Sequence, residues 1–273
     1  GKKDTIAIVC ENGTLMATSF LATASCCCAA PLNPSYTSFE FDYYLEDLKP
    51  KALIVKDVSN SPVIQVAKKR NIKIFNLIDD SKDHSGKFTL TSEEKNISSI
   101  TDNNDNIFPE DIALILHTSG TTSKPKMVPL THFNLCTSAK NIVDTLYLDR
   151  SDKCINIMPL FHIHGIVGLL LSSLFSGGNI FTSTGFNALK FFSWLKIFSP
   201  TWYSAVPTMH QAILSRADRN SEIIAQIKLR FIRSSSAPLP SITMQEIEKT
   251  FHCPVIESYG MTETAHQMAS NHL

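Results

Sequence analysis

The sequence predicts an α/β fold with mainly parallel sheets flanked by helices. Two observations carry this. Short β-branched runs alternate with longer stretches of helical period along all 273 residues. Most of the short runs are apolar without in–out alternation, the pattern of strands covered on both faces. The length and the 43% hydrophobic content allow a sizeable core, in one large domain or two smaller ones.

The first strand, Ile6 to Cys10, follows Gly1-Lys-Lys-Asp directly and leads into a helix over about 14–29. The spacing Thr37-xx-Glu40 is a capping box and opens a helix over 37–49. A strand at 52–56, a helix at 60–70 and a strand at 72–76 continue the alternation. Residues 80–106 interrupt it: Asp79-Asp80, Glu93-Glu94 and Asp102 to Asp105 lie in a polar, Ser/Asn-rich stretch that reads as an exposed connection. The strand 112–117 then precedes a helix at 131–146, with Thr131 ahead of it. Strands at 154–157, 179–181, 201–204, 230–233 and 255–257 follow, separated by helices at 163–175, 187–198, 207–217 and 240–251. Pro240 suits the first turn of the last helix. Active sites in such folds gather at the carboxyl ends of strands.

Composition excludes several function classes. Lys and Arg total 25 against 25 Asp and Glu, so no overall field steers the chain to nucleic acid or an anionic membrane. Any anion must be held by a local site. The longest apolar stretch, Ile163 to Phe175, contains His164, two glycines and two serines and is too short to span a bilayer. Seven cysteines, at 10, 26, 27, 28, 136, 154 and 253, form no CxxC pair. They read as small buried hydrophobes in a reducing compartment. No secretory signal opens the chain, and the cytoplasm is the default location.

Four segments carry chemistry. His117-Thr118-Ser119-Gly120-Thr121-Thr122-Ser123-Lys124-Pro125-Lys126 packs hydroxyls and a glycine between a strand and a helix, with two lysines following. Backbone N–H groups, hydroxyls and an ammonium make a phosphate grip, although the Walker A spacing is absent and a solvated turn is the simpler alternative. Met158-Pro-Leu-Phe-His162-Ile-His164-Gly165 places two histidines at i, i+2. They lack a third zinc partner nearby and fit a pocket wall or a core better. Ser234-Ser-Ser-Ala-Pro-Leu239 is a small-residue turn that would let a flat ring approach the backbone. Glu257-Ser-Tyr-Gly-Met-Thr-Glu263 brings an aromatic ring, a glycine, a hydroxyl and a carboxylate to one strand end, suited to base stacking, close approach, a phosphate contact and Mg²⁺.

The ordered set Thr118-Ser-Gly-Thr-Thr-x-x-Pro-Lys126, Pro159-Leu-Phe-His162, Ser236-Ala-Pro-Leu239 and Tyr259-Gly-Met-Thr-Glu263 resembles the adenylate-forming, AMP-binding superfamily of acyl-CoA synthetases, luciferases and peptide-synthetase adenylation domains. Ala30-Pro-Leu-Asn-Pro34 is similar too. Phe161-His-Ile-His-Gly165 and the tail Met261 to Asn271 resemble the oxalate–CoA ligase, peroxisomal-synthetase-like branch. The resemblance implies the large N-terminal domain of these enzymes, incomplete here: a leading α/β portion at 1–110, an ATP-binding portion at 111–273, and a C-terminal lid domain with its lysine lying outside the sequence. The ribose-binding aspartate would lie outside it as well. On this expectation the chain alone is a weak or inactive enzyme. The expected location is the cytoplasm, with the peroxisome open for the full-length parent.

The implied chemistry is ATP-dependent adenylation of a carboxylic acid, then thioester formation with coenzyme A. Thr118, Ser119, Gly120, Thr121 and Thr122 with Lys126 would hold the β- and γ-phosphates. Ser236, Ala237 and Pro238 would line the adenine site, with Tyr259 on the ring and Gly260 allowing close approach. Thr262 would touch the α-phosphate, Glu263 would ligate Mg²⁺, and His162 would sit beside the acyl pocket. For oxalate or another small dianion the pocket needs donors or positive charge at its far end; His266 and the hydroxyls of Ser234 to Ser236 could supply them. A surface position for His266 is the simpler alternative. Ser123 and Met127 depart from the family by standing where glycines are common, and a side chain at Ser123 restricts the loop. Two other functions stay open: a 4-coumarate or medium-chain acyl-CoA ligase, and a non-catalytic, truncated nucleotide-binding protein.

Overall fold

The computed structural model describes residues 1–56, 61–80, 82, 84–92, 106–118 and 125–273. By packing, the chain forms two compact units, Gly1–Phe133 and Asn134–Leu273. In the first, β1 (Thr5–Val9), β2 (Cys28–Pro31), β3 (Ala52–Val55), β4 (Lys73–Asp79), β5 (Phe88–Thr91), β6 (Ile112–Thr118) and β7 (Lys126–Thr131) form one sheet. Its order is β5-β4-β3-β1-β2-β6-β7. The inner pairs are parallel, while β4–β5 and β6–β7 are antiparallel edges. The helices are α1 (Thr14–Ala24), α2 (Ser38–Leu48) and α3 (Val63–Lys69). Phe41 and Leu45 of α2 pack on Ala7, Val9, Leu53 and Val55, burying the inner strands as their unbroken apolar runs require.

In the second unit β8 (Lys153–Asn156), β9 (Asn179–Thr182), β10 (Trp202–Ala205), β11 (Phe231–Ser234), β12 (Val255–Met261) and β13 (His266–Ser270) form a sheet of order β13-β12-β11-β10-β8-β9. All pairs are parallel except β12–β13. α4 (His132–Leu146) enters this unit. A π-helical segment, His164–Leu171, continues as α5 (Ser172–Phe175), and α6 (Phe191–Phe198), α7 (Pro207–Leu214), α8 (Ser221–Gln226) and α9 (Ser241–Phe251) follow. Phe191, Leu195, Tyr203, Ile232, Ile247 and Val255 belong to its core.

Several local expectations change. The Thr37–Glu40 capping box is present in both directions. The helix expected to reach 29 ends at Ala24, and Cys28 already begins β2. Cys10, Cys28, Cys154 and Cys253 are buried, but Cys26 and Cys136 are exposed, contrary to the reading of all seven as core residues. β5 lies inside the stretch expected to be pure connection. β7, β13 and α8 have no counterpart in the sequence reading. Helices α2, α6 and α9 are closed by Lys49, Ser199 and His252 in the left-handed conformation, where a sequence search looks for glycine. Among the described residues no helix is long and apolar enough to cross a membrane.

Candidate active site

The second unit holds a cleft at the carboxyl ends of β11 and β12. Beyond Ser234 the chain turns through Ser236, whose φ of 73° is left-handed. Two bonds fix this turn to β12: the Leu239 N–H donates to Glu257 Oε1 at 2.9 Å, and Ser235 Oγ donates to the Ser258 carbonyl at 3.0 Å. Ser236, Ala237, Pro238, Glu257, Tyr259 and Gly260, facing Ala269 to Asn271, line a cleft of about 400 Å³. The Tyr259 ring is 64% exposed and so is free to lie against a flat ligand. The two motifs singled out for the adenine site therefore share one cavity.

Behind its rim lies a buried polar cluster. His266, anticipated as a pocket donor with a surface position as the alternative, is 2% exposed. Its Nε2 accepts from Arg233 Nη1 at 3.0 Å, and Arg233 Nη2 donates to Gln267 Oε1 at 2.8 Å. The His266 ring stacks on His164, with centroids 4.9 Å apart and planes at 27°. His164 bridges two hydroxyls, Ser204 at 2.7 Å from Nε2 and Ser236 at 3.1 Å from Nδ1. Ser234, also anticipated as a donor, is fully buried and its hydroxyl has no partner. The backbone concentrates strain here: Ala265 and His266 have φ of 53° and 98° in succession. A Cβ on Gly168, in the π-helical segment, would lie 2.5 Å from His266 Nε2, so only glycine leaves room for the ring. Extra turns of π-helix recur at functional sites.

Electrostatically the cluster is one cation among neutral rings. Burial pushes His164 and His266 well below the ordinary imidazole range, and the Arg233 charge adds to it. Burial takes His210 down to about 4. Burial also lowers Arg233, to about 10, which leaves it protonated at neutral pH. A histidine depressed in the folded state binds its proton first in the unfolded chain. Stability is then complete above the unfolded value near 6.5 and is lost as pH falls toward the lower folded value. The protein should lose on the order of 10 °C in Tm between pH 7 and pH 5, before most carboxylates titrate. A pH-independent melting temperature across that window, followed by calorimetry, would contradict this assignment.

The remaining residues of the Tyr259–Glu263 motif lie at the end of β12. Thr262 is half-buried and Glu263 exposed, both in a short 3-10 turn, Thr262–Thr264. No described residue pairs with the Glu263 carboxylate. Among the described residues no group of three or more His, Cys, Asp or Glu side chains could hold a metal. A lone free carboxylate fits Mg²⁺, which is commonly held by one or two carboxylates together with substrate phosphates. His162 is exposed, and its Nδ1 accepts the His164 N–H at 3.2 Å, which leaves Nε2 as the outward donor of the neutral ring.

In the first unit Thr118 ends β6 and pairs with Lys126 at the start of β7. Ser119 to Lys124, including Gly120, Thr121 and Thr122, lie outside the described residues. Helix α2 holds the described residues on either side of that segment. His117 Nε2 lies 2.9 Å from Asp47 Oδ2 and meets the Tyr44 ring edge-on, while Tyr43 Oη donates to the Pro125 carbonyl at 3.3 Å. Sequence reasoning missed these supports, and it missed Arg233 and Gln267. Arg233 did leave a signal: one charge inside an apolar strand whose neighbours are buried on both faces.

Comparison with known proteins shows the family of the chain. Residues 1–272 match the family described as AMP-binding enzyme. An oxalate–CoA ligase of Arabidopsis thaliana is 40% identical over 99% of this chain and 52% of its own length. An oxalate–CoA ligase of Saccharomyces cerevisiae is 37% identical over 100% of the chain and 53% of its own. The chain thus spans about half the length of the curated relatives it matches. The crystal structure of ATP-bound MatB from Rhodopseudomonas palustris superposes with a TM-score of 0.81 at 26% identity, over the whole chain and 52% of MatB. With this match over almost its whole length, the chain belongs to the AMP-binding enzyme family.

Proposed function

We propose that this chain is the nucleotide-binding portion, residues 111–273 above all, of an ATP-dependent acid–CoA ligase acting on oxalate or another small acid. The observation that carries the reading is the polar cluster of Arg233, His266 and His164 reaching the cleft rim at Ser236. A fatty or hydroxycinnamic acid needs an apolar slot. A cation among neutral imidazoles suits a small polar acid. The two relatives named oxalate–CoA ligase support the same substrate.

On this reading the acid's carboxylate oxygen attacks the α-phosphorus of ATP, pyrophosphate leaves, and the thiol of coenzyme A then displaces AMP from the acyl carbon. The protein's part in the first step is positioning and charge neutralisation. Ser236, Ala237 and Pro238 receive the adenine, Tyr259 covers its face, and Gly260 lets the backbone approach. Thr262 donates to the α-phosphate. Thr118 to Thr122 and Lys126 are assigned to the β- and γ-phosphates. Glu263 would hold Mg²⁺, which when bound neutralises phosphate charge. His162 flanks the acyl group, and Ser234 and His266 stand buried behind its far end.

Replacing His266 with alanine should raise KM for oxalate by roughly 10- to 100-fold, the value of a hydrogen bond to a charged group. KM for ATP should move less than about threefold, since the nucleotide lies elsewhere in the cleft. Steady-state kinetics with each substrate varied in turn checks this, and equal changes in both constants would remove His266 from the acid site.

A further inference from the structure

Arg233 is a buried cation without a counter-ion. It stands in β11, between β10 and β12, and is fully buried. Its two hydrogen-bond partners, the His266 ring and the Gln267 amide, are both neutral, and its Nε has no partner. Among the described residues no carboxylate pairs with it. Desolvating a charge is costly, and neutral acceptors do not cancel it. A satisfied core arginine that merely ties β11 to β13 is the simpler explanation, and it makes a different prediction for stability.

The geometry also fixes a proton. Because His266 Nε2 accepts from Arg233, the neutral ring carries its proton on Nδ1. The ring is clamped between His164 and Gly168, and His164 leads to Ser236 at the cleft. An acceptor polarised by a guanidinium is a stronger donor at its other nitrogen. The Arg233 charge also bears on the stacked His164 ring, which bonds Ser236 at the cleft, so it can act there electrostatically without Arg233 touching the ligand.

We propose that Arg233 is a specificity-determining positioning residue: its uncompensated charge, relayed through His266, favours acids bearing a second carboxylate over monocarboxylates of the same size. This rests on the acid–CoA ligase reading above for its reaction, though not for its binding test. Oxalate and glycolate are the probes, since they share a two-carbon frame and differ in one carboxylate.

The experiment compares wild type, Arg233→Met and Arg233→Lys in the expressed gene product, reading the thermal shift with each acid and acid-dependent pyrophosphate exchange. The oxalate-over-glycolate preference should fall by roughly 100-fold in Arg233→Met, and Arg233→Lys should keep part of it. Without ligand, Arg233→Met should melt no lower than wild type, because it removes an uncompensated buried charge. A lower melting temperature with an intact preference would make Arg233 a structural tie and overturn the proposal. Arg233-dependent oxalate binding without pyrophosphate exchange would sustain the proposal and sink the ligase reading. Oxalate-dependent exchange with an unchanged preference in Arg233→Met would do the reverse, and no oxalate response in wild type would defeat both.

Discussion

Alanine at Gly260 will unseat the edge of the second sheet and take the cleft with it. In the β12–β13 pair Gly260 faces Gln267, and the register shifts between Tyr259 and Gly260. At this irregularity the two backbones approach so closely that a Cβ on Gly260 would fall inside the van der Waals sphere of the His266 carbonyl oxygen. The glycine is required by the neighbouring strand, independently of any nucleotide. The obstacle is backbone, and His266 already holds a φ of 98°, so no side-chain rotation relieves it. Overpacking ordinarily costs about 1–3 kcal/mol, and a backbone clash lies at or above the top of that range. Thermal melting should show a loss on the order of 10 °C, together with loss of the ATP-induced shift. A Gly260→Ala protein with wild-type melting and ATP binding would show that β13 moves aside freely.

Glutamine at Glu263 should do the opposite: leave the fold alone and stop the chemistry. Glu263 is exposed on the turn after β12 and no described residue pairs with it, so stability should change by less than about 0.5 kcal/mol. If the carboxylate holds Mg²⁺ at the phosphates, its loss should lower acid-dependent pyrophosphate exchange by roughly 100- to 1,000-fold. Titrating Mg²⁺ at saturating ATP separates weaker metal binding from a slower step. Unchanged exchange and an unchanged Mg²⁺ dependence would remove Glu263 from the metal site.

Most inner strands were legible because burial on both faces leaves apolar runs, as at Thr5–Val9 and Ala52–Val55, whereas the inner strand β2 was read as the end of a helix. Of the sheet edges β9 was legible, but β5, β7 and β13 were not. β7 carries Pro129, which argues against a strand except at an edge where the missing N–H is harmless, and β7 is an edge. β13 was hidden inside a motif tail and begins at a residue with positive φ. The cysteine run looked helical by apolarity, yet Cys26 and Cys27 form the turn between α1 and β2. In the site, order along the chain identified the cleft because Ser236–Pro238 follow β11 while Tyr259–Gly260 lie near the end of its parallel neighbour β12. The Arg233–His266–His164 arrangement was not legible, since ring stacking and tautomer depend on how a π-helical segment meets β13.

Acid-dependent pyrophosphate exchange by the expressed gene product, with ATP and Mg²⁺ and a panel of oxalate, malonate, 4-coumarate and octanoate, tests the central claim most directly. Exchange that requires an acid and is fastest with oxalate is the predicted result. ATP binding with no exchange for any acid, or a preference for 4-coumarate or octanoate, would contradict it.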